Sequence, residues 1–404
     1  MNIDYRPQDP ATLANPYPLF ARMRDEDPCH WSPRLKSWVL TRYDDVKAVT
    51  QDGKLSSNRL QPFFASLPSE EAQKIGDIIR YLSLWMVFKD PPEHTRLRRL
   101  TSKVLHAKSM QGMRTQVEDI AAWLLDSLRG RDQFDFVAEF AGPLPCLVIM
   151  AMLGVPREDL ATMKRLSDDM ALFIGSSRMA AEKYDTAQAA THAMADYFRH
   201  LIDVRRAAPG TDLLSQLVHL RDGDDRLSED ELVATCILLL FAGHETTTNH
   251  IANGLLSLMQ FPAQMHKLRN HPGLTNAAVE ELLRHEGPSG AQVRVVQVEH
   301  ERHGKTLMPG ERLFMMLNAA NRDPRAYADP DVLDIDRDGV AHLAFGYGAH
   351  ICLGFPLART EGQVAFGALL KRYAHIEAAT ATQTWLNSLV FRGVTALPVR
   401  VRPA

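Results

Sequence analysis

The stretch Phe345-Gly346-Tyr347-Gly348-Ala349-His350-Ile351-Cys352-Leu353-Gly354 places one cysteine in a glycine-rich turn. Apolar residues with helical spacing follow in 357–370, so the sequence predicts that a helix begins just after the turn. The free backbone N–H groups and positive dipole end of such a helix favour the thiolate form of Cys352. Gly346 and Gly348 accept positive φ angles and let the backbone approach a large flat ligand. This pattern predicts a thiolate ligand for heme iron.

A second pattern, Ala242-Gly243-His244-Glu245-Thr246-Thr247, lies inside a long apolar stretch that we expect to be one helix from a cap at Ser228 to about Met259. A glycine inside a helix costs about 1 kcal/mol, so Gly243 suggests close approach of another group to the backbone. Glu245 and Thr246 place a carboxylate beside a hydroxyl, which is the chemistry of a proton relay.

The two patterns, F-G-x-G-x-H-x-C-x-G and A-G-x-E-T-T, resemble the signatures of the cytochrome P450 family, the heme-thiolate monooxygenases. The resemblance implies heme b bound through Cys352, with Thr246 and Glu245 as the residues that activate dioxygen. It also implies a mainly α fold, α+β by content, of the triangular-prism type with small β-sheets. The heme would lie between the long distal helix and the helix that follows the cysteine.

The same resemblance implies which side chains contact the heme. His94 and Arg98 share one helix face at i and i+4, after the family-like entry Asp90-Pro91-Pro92-Glu93. Cationic and imidazole donors suit the anionic propionates. The implied cofactor-binding residues are Cys352, His94, Arg98, Arg294, His350, Phe345 and Ala242.

A structural role is predicted for Glu281 and Arg284, which lie three residues apart on a predicted helix and can meet on one face. The resemblance adds Arg337 to this pair and implies a buried charge network that supports the cysteine loop. Arginine suits such a network because its planar fork bonds carboxylates in a bidentate way.

The organisation of the chain is predicted to be a single domain over residues 1–404. The motifs run from residue 94 to residue 359 with no Gly/Ser-rich or Pro-rich linker between them, and all should converge on one heme. Residues 53–90 carry many aromatic side chains and are predicted to be irregular. A strand-like hairpin is predicted for residues 391–401.

Composition excludes several classes. A net charge of −3 and a pI near 6.6 give no indication of nucleic-acid binding. The four cysteines are widely spaced, which favours a reducing compartment. The amino-terminal residues lack an apolar signal core, and the longest apolar run, Val233 to Gly243, is too short to span a bilayer. We therefore expect a cytoplasmic, bacterial-type protein with no membrane partner.

The predicted function is heme-dependent insertion of one atom of dioxygen into a medium-sized hydrophobic substrate, by hydroxylation, epoxidation or dealkylation. Because no flavin or nicotinamide fingerprint is present, the resemblance implies electrons from an NAD(P)H-dependent reductase through a ferredoxin. A peroxide-driven peroxygenase and a non-catalytic heme-thiolate binding or sensor protein remain as alternatives. The predicted ferredoxin-facing cations are Arg96, Arg99, Lys103, Arg359, Lys371 and Arg372.

The substrate itself is not encoded in any motif. Its pocket is expected to be largely apolar. The candidate walls are Phe63, Phe64, Trp85, Met86, Phe88, Met170, Leu172, Phe173, Leu238, Leu239, Val293, Leu389 and Val390.

Overall fold

The structure is a computed structural model that describes residues 3–106, 110, 112–175 and 181–404. The described residues form two compact units. The first comprises residues 3–56, Val117–Ala141 and Thr246–Ala404, and the second comprises Ser57–Gln116 and Gly142–Glu245. The single-domain organisation over 1–404 stays a prediction.

Helices predominate, as the sequence predicts. The α-helices bounded within the described residues are α1 (Pro10–Ala14), α2 (Tyr17–Glu26), α3 (Tyr43–Val49), α4 (Leu60–Ala65), α5 (Ser69–Lys74), α6 (Gly76–Leu82), α7 (Glu93–Val104), α8 (Arg114–Ser127), α9 (Pro143–Leu153), α10 (Leu160–Gly175), α11 (Ala181–Ala207), α12 (Leu213–His219), α13 (Glu229–Gln260), α14 (Pro262–Asn270), α15 (Thr275–His285), α16 (Leu317–Ala320) and α17 (Phe355–Arg372). A short π-helical segment spans Val137–Ala141 just before α9.

The strands of the described residues all lie in the first unit. They are β1 (Cys29–Ser32), β2 (Ser37–Leu40), β3 (Leu55–Ser56), β4 (Gln133–Asp135), β5 (Ala291–Val296), β6 (His300–Arg302), β7 (Lys305–Leu307), β8 (Arg312–Met316), β9 (Tyr373–Ala378) and β10 (Pro398–Pro403). They form a five-stranded sheet in the order β1-β2-β8-β5-β3, a three-stranded sheet in the order β4-β10-β9, and the hairpin β6-β7.

The five-stranded sheet is covered on both faces because its central strands are apolar at successive positions. On β8, Leu313 and Met315 belong to one buried cluster and Phe314 to another. Side chains alternate across a strand, so the two clusters lie on opposite faces. Strand β5 pairs antiparallel with β8, and Arg294 faces Leu313 in the register. The sheet thus fixes the position of one predicted heme-binding residue.

The long helix α13 begins where the sequence predicts. The backbone N–H of Glu231 donates to Ser228 Oγ over 3.2 Å, and the N–H of Ser228 donates to Glu231 Oε2 over 2.8 Å. This reciprocal pair is a capping box, which satisfies two backbone donors at a helix start. From there α13 runs without interruption through Glu245 and Thr246 to Gln260.

Two local predictions were wrong. Residues 53–90, predicted to be irregular, contain the short helices α4, α5 and α6, whose aromatic side chains give no clear helical repeat. The predicted hairpin over 391–401 is absent from the described residues, because β10 pairs instead with β9 and β4. Phe391 and Val394 make isolated bridges to Ser289 and Trp385. The second error arises because pairing with distant segments decides the structure of residues 391–401.

Across residues 3–106, 110, 112–175 and 181–404, no helix has a sufficiently long and apolar stretch to cross a bilayer.

Candidate active site

The cysteine loop, residues 345–354, is closed by its own backbone. The N–H of Cys352 donates to the carbonyl oxygen of Phe345 over 2.9 Å. Gly346 and Gly348 have φ angles of 72° and 73°, in the left-handed region that glycine adopts without strain. A Cβ at position 346 would lie 2.8 Å from Gln292 Nε2, so space as well as conformation requires glycine there.

The thiol of Cys352 differs from the other three. It is half-buried, whereas Cys29, Cys146 and Cys236 are completely buried. Burial raises the pKa of Cys29 and Cys146 to about 12, and it raises that of Cys236 further. Because a thiolate is required for metal ligation, these three thiols are unsuited to it. Cys352 therefore stays the predicted iron ligand.

Three more of the predicted heme-binding residues lie in the same unit as Cys352. His350 is half-buried in a short 3-10 turn, Gly348–His350, within the cysteine loop. Arg294 on β5 is buried, with 5% of its surface exposed, and its Nη1 donates to the carbonyl oxygen of Val293 over 3.0 Å. Phe345 opens the loop and is half-buried.

The second unit holds the other predicted residues on two helices. His94 and Arg98 are on α7, where His94 is buried and Arg98 is half-buried. Ala242 and Glu245 are on α13; Ala242 is exposed although Phe241 before it is buried. Thr246, which begins the last segment of the first unit, is half-buried on the same helix. That these residues bind one heme stays a prediction.

A cluster beside Glu245 was not identified from the sequence. Asp168 on α10, His244 and Glu245 each offer a ligand atom, and these atoms lie within 4.8 Å of one another. His244 Nδ1 is 3.1 Å from Ser167 Oγ, and burial lowers the pKa of His244 to about 4. Asp168 also accepts from Lys164 Nζ over 2.6 Å. The buried His244 imidazole thus lies close to two carboxyl groups, one on α10 and one on α13.

Gly243 has a packing partner. A Cβ at this position would lie 3.1 Å from Cγ1 of Ile149 on α9, which is tighter than ordinary van der Waals contact. The close approach that the sequence predicts for Gly243 is therefore made, within this unit, by an isoleucine side chain.

The predicted network of Glu281, Arg284 and Arg337 is present, with Glu281 and Arg284 buried and Arg337 half-buried. Arg284 Nε and Nη2 donate to the two Glu281 oxygens over 2.6 and 2.8 Å, and Arg337 Nε donates to Glu281 Oε1 over 3.2 Å. Arg284 also donates to the carbonyl oxygens of Asn321, Pro330 and Val332. The network therefore ties α15 to the segment that precedes the cysteine loop.

One buried carboxyl group escaped prediction. Glu361 on α17 has 2% of its surface exposed, and its Oε2 has no hydrogen-bond partner among the described residues. Burial raises the pKa of Glu361 well above its usual range. A single glutamate on an otherwise apolar helix face could have signalled this group.

Several candidate pocket walls in the second unit form aromatic clusters. Phe63, Phe64, Phe173 and Tyr184 have neighbouring ring centroids 5.6 to 6.3 Å apart. Trp85 stacks on Phe88 at 6.0 Å and is almost completely buried. The first cluster is partly exposed and suits a ligand wall, whereas Trp85 is core.

The cations predicted to face a ferredoxin are mostly ion-paired. On α7, Arg96 pairs with Asp225 and Glu231, and Arg99 and Lys103 pair with Asp222. On α17, Arg359 pairs with Glu280 and Arg372 with Asp126. Lys371 is the exception among the described residues. The expected excess of positive charge is therefore largely neutralised.

Comparison with known proteins finds bacterial relatives of similar length. The chain is 35% identical over 397 residues to the polyketide biosynthesis cytochrome P450 PksS of Bacillus subtilis, covering 95% of both chains. It is 39% identical over 402 residues to cytochrome P450 107B1 of Saccharopolyspora erythraea, covering 97% of this chain and 96% of that one.

Solved structures agree with these relatives. P450BioI in complex with an acyl carrier protein ligated to hexadec-9Z-enoic acid superimposes with a TM-score of 0.90 at 34% identity, covering 97% of this chain and 99% of that one. CalO2 gives a TM-score of 0.90 at 30% identity, with coverage of 99% of each chain. A family model described as cytochrome P450 matches residues 28–392. This chain belongs to the cytochrome P450 family.

Proposed function

We propose that this cytochrome P450 monooxygenase inserts one atom of dioxygen into a medium-sized hydrophobic organic substrate, with electrons delivered by a ferredoxin and its NAD(P)H-dependent reductase. The observation that carries the proposal is the Glu245–Thr246 pair on α13, in a chain whose loop thiol Cys352 is half-buried. An enzyme that receives oxygen as dioxygen needs protons as well as electrons, and this pair offers a carboxylate and a hydroxyl.

Heme is the cofactor of the family, and the residues of the cysteine loop fit it. Cys352 supplies the thiolate, while Arg294, His350, His94 and Arg98 offer donors for the propionates. Phe345 and Ala242 would lie against the macrocycle, one from the loop and one from α13. A bound heme would supply the iron that takes up dioxygen, and the Cys352 thiolate would donate the electron density that favours cleavage of the dioxygen bond.

Proton supply is assigned to the residues around Glu245. The Glu245 carboxylate would hold a proton beside the Thr246 hydroxyl, and the hydroxyl would position that proton for transfer. Asp168 and His244 lie near Glu245, and Asp168 is half-buried, so protons could enter from that side. Because burial lowers the pKa of His244 to about 4, this imidazole is neutral near pH 7 and can both accept and donate.

The substrate class is proposed from the apolar walls and from the relatives. The relatives include PikC of Streptomyces venezuelae, 36% identical, and a vitamin D(3) 25-hydroxylase of Pseudonocardia autotrophica, also 36% identical. One structural neighbour was solved with myristic acid at 37% identity. Molecules of the size of a polyketide, a steroid or a fatty acid, as named for these relatives and neighbours, are all consistent with aromatic walls such as Phe63, Phe64 and Phe173.

The first experiment tests the iron ligand. Carbon monoxide added to the dithionite-reduced protein should give the red-shifted Soret band of thiolate-ligated heme. Cys352→Ala should lose this band, while Cys146→Ala, which removes a buried thiol from α9, should keep it. A red-shifted band in Cys352→Ala would contradict the assignment.

The second experiment separates the monooxygenase from the alternatives. Compounds of the three size classes are screened for a high-spin shift of the Soret band, and a compound that binds is incubated with NADH, reductase and ferredoxin. The proposal expects product coupled to NADH consumption, and more hydrogen peroxide per product with Thr246→Ala. Product from hydrogen peroxide alone would indicate a peroxygenase, and binding without turnover in either system would indicate a non-catalytic protein.

A further inference from the structure

Glu280 lies next to the network residue Glu281 on α15 but has different partners. Arg359 of α17 bonds it in a bidentate way, with Nε 2.6 Å from Oε1 and Nη2 2.7 Å from Oε2. His342 Nε2 is 3.2 Å from Oε2. Burial alone would raise the pKa of Glu280, but hydrogen bonds from His342 and Arg359 bring it down to about 2. Glu280 is therefore ionised throughout the physiological pH range.

Arg359 contacts two aromatic rings as well as the carboxylate. Its guanidinium carbon lies 5.1 Å from the ring centroid of Phe345 and 4.8 Å from that of Phe355. The two ring centroids are 6.0 Å apart with planes inclined by 47°. Both distances fall within the range of cation–π attraction, and a planar guanidinium can stack on rings while its edge bonds a carboxylate.

The two rings flank the cysteine loop in the sequence. Phe345 is the first residue of the cysteine loop, and Phe355 follows its last residue. Phe345 also accepts a hydrogen bond at its carbonyl oxygen from the backbone N–H of Cys352. A side chain that holds both rings therefore holds both ends of the loop, and one of those ends is bonded directly to the cysteine.

We propose that Glu280 and Arg359 are positioning residues for the cysteine ligand: Glu280 orients the guanidinium of Arg359, which clamps Phe345 and Phe355 and so fixes the loop around Cys352. The proposal rests on the proposed function of Cys352 as the iron ligand. His342, which precedes the loop by three residues, supports the carboxylate from a third side.

The clamp gives Arg359 a different role from the ferredoxin-facing one that the sequence predicts. As a solvated cation it would be one of the residues that attract an acidic electron donor. Because the guanidinium already contacts the Glu280 carboxylate and two aromatic rings, its positive charge is largely compensated within the protein. Its removal should disturb the ligand loop and leave the attraction of a ferredoxin nearly unchanged.

The experiment compares two arginines on one helix. Arg359→Met removes the clamp, whereas Arg372→Met removes an ion pair with Asp126, 3.1 Å long, at the far end of α17. Each purified holoprotein is reduced, exposed to carbon monoxide and followed in mild denaturant. In Arg359→Met the red-shifted band should convert to the shorter-wavelength band of heme without thiolate about tenfold faster than in wild type, while Arg372→Met should match wild type.

A second readout does not depend on the heme spectrum. Amide hydrogen exchange over residues 345–352 should be faster in Arg359→Met than in Arg372→Met. If Arg359→Met fails to fold, Glu280→Gln and Phe355→Leu each weaken one half of the clamp and should show smaller changes in the same direction. Wild-type conversion rates and loop exchange in Arg359→Met, or in both milder variants, would overturn the clamp. A wild-type protein without the red-shifted band would instead overturn the role of Cys352.

Discussion

Two buried glutamates on neighbouring helices show how differently a protein can treat the same group. Glu281 on α15 and Glu361 on α17 have 4% and 2% of their surfaces exposed. Glu281 accepts from Arg284, Arg337 and the backbone N–H of Asp334. Glu361 has an oxygen with no hydrogen-bond partner in the described part of the chain. Equal burial therefore produces a structural anchor in one case and a costly buried acid in the other.

Donors at the right positions account for this difference. The segment before the cysteine loop brings backbone carbonyls to Arg284 and brings Arg337 to Glu281, and both guanidinium groups bond further carbonyl oxygens of that segment. Around Glu361 the helix offers apolar neighbours such as Leu357, Val364 and Ala365. Burial of a charge is tolerated where it is paired and hydrogen-bonded, and otherwise the group becomes neutral.

The largest expected effect is the loss of the Glu281 network. Arg284→Ala would leave the Glu281 carboxylate buried without its main partner, which costs about 3–5 kcal/mol. Heme content and soluble yield should fall, and the denaturant midpoint should decrease. Arg22→Ala, which breaks an exposed pair with Glu26 on α2, is the control and should cost less than about 1 kcal/mol. Equal effects of the two variants would contradict a special role for the buried network.

Glu361→Gln should act in the opposite direction and stabilise the protein. The pKa of Glu361 is higher in the folded protein than in the unfolded chain. The stability that Glu361 contributes therefore falls as the pH rises above the pKa of the unfolded chain. Glutamine cannot ionise, so it avoids this loss. Glu361→Gln should therefore raise the unfolding midpoint at pH 8 more than at pH 6. Glu377→Gln, at an exposed glutamate on β9, is the matched control. A midpoint gain that is the same at both pH values would contradict the prediction.

A smaller effect is expected from the half-exposed carboxylate Glu280. Its folded-state pKa is lowered, so the stability that it contributes is present above about pH 4.5 and is lost as the pH falls toward about 2. Solvent screens this pair, and the contribution should stay within about 1 kcal/mol. Between pH 5 and pH 3, the thermal unfolding midpoint of Glu280→Gln should therefore decrease less than that of wild type. Parallel curves for the two proteins would argue against it.

The smallest effect concerns the surface of α7, where charges are paired but exposed. Arg99→Glu with Lys103→Glu would replace attraction to Asp222 by repulsion, within about 1 kcal/mol for each pair. The loss of stability should disappear at high salt. Reduction by a ferredoxin should be slowed little, because these cations are already neutralised. A large, salt-sensitive decrease in the rate of first-electron transfer would show that α7 is a docking face after all.

Local patterns in the sequence predicted the elements that bear the chemistry. The glycine turn at Cys352, the capped start of α13 at Ser228, and the i, i+3 pair of Glu281 and Arg284 each depend on neighbours in the chain. Partners from distant segments could not be predicted in the same way. Arg359 lies 79 residues from Glu280, and Ser167 lies 77 residues from His244.

Periodicity explains this limit, because it shows which face of a helix is apolar but not what covers it. The sheet pairing of β10 with β9 and β4 is a further example, since the local signal at 391–401 favoured a hairpin. The acidic residues that pair with α7 are also an example, since the sequence of a basic helix does not show which acidic residues of the chain lie against it.

The contact between Gly243 and Ile149 has an evolutionary consequence. The two positions share one small volume, so a methyl group gained at 243 must be matched by carbon atoms lost at 149. Gly243→Ala alone should strain α13 beside Glu245, whereas Gly243→Ala with Ile149→Ala, which removes Cγ1 and Cδ1 from the contact, should relieve that strain. Among descendants of a common ancestor, these two positions should therefore exchange size as a pair, and a laboratory lineage selected for a reshaped α13 should acquire its second mutation on α9.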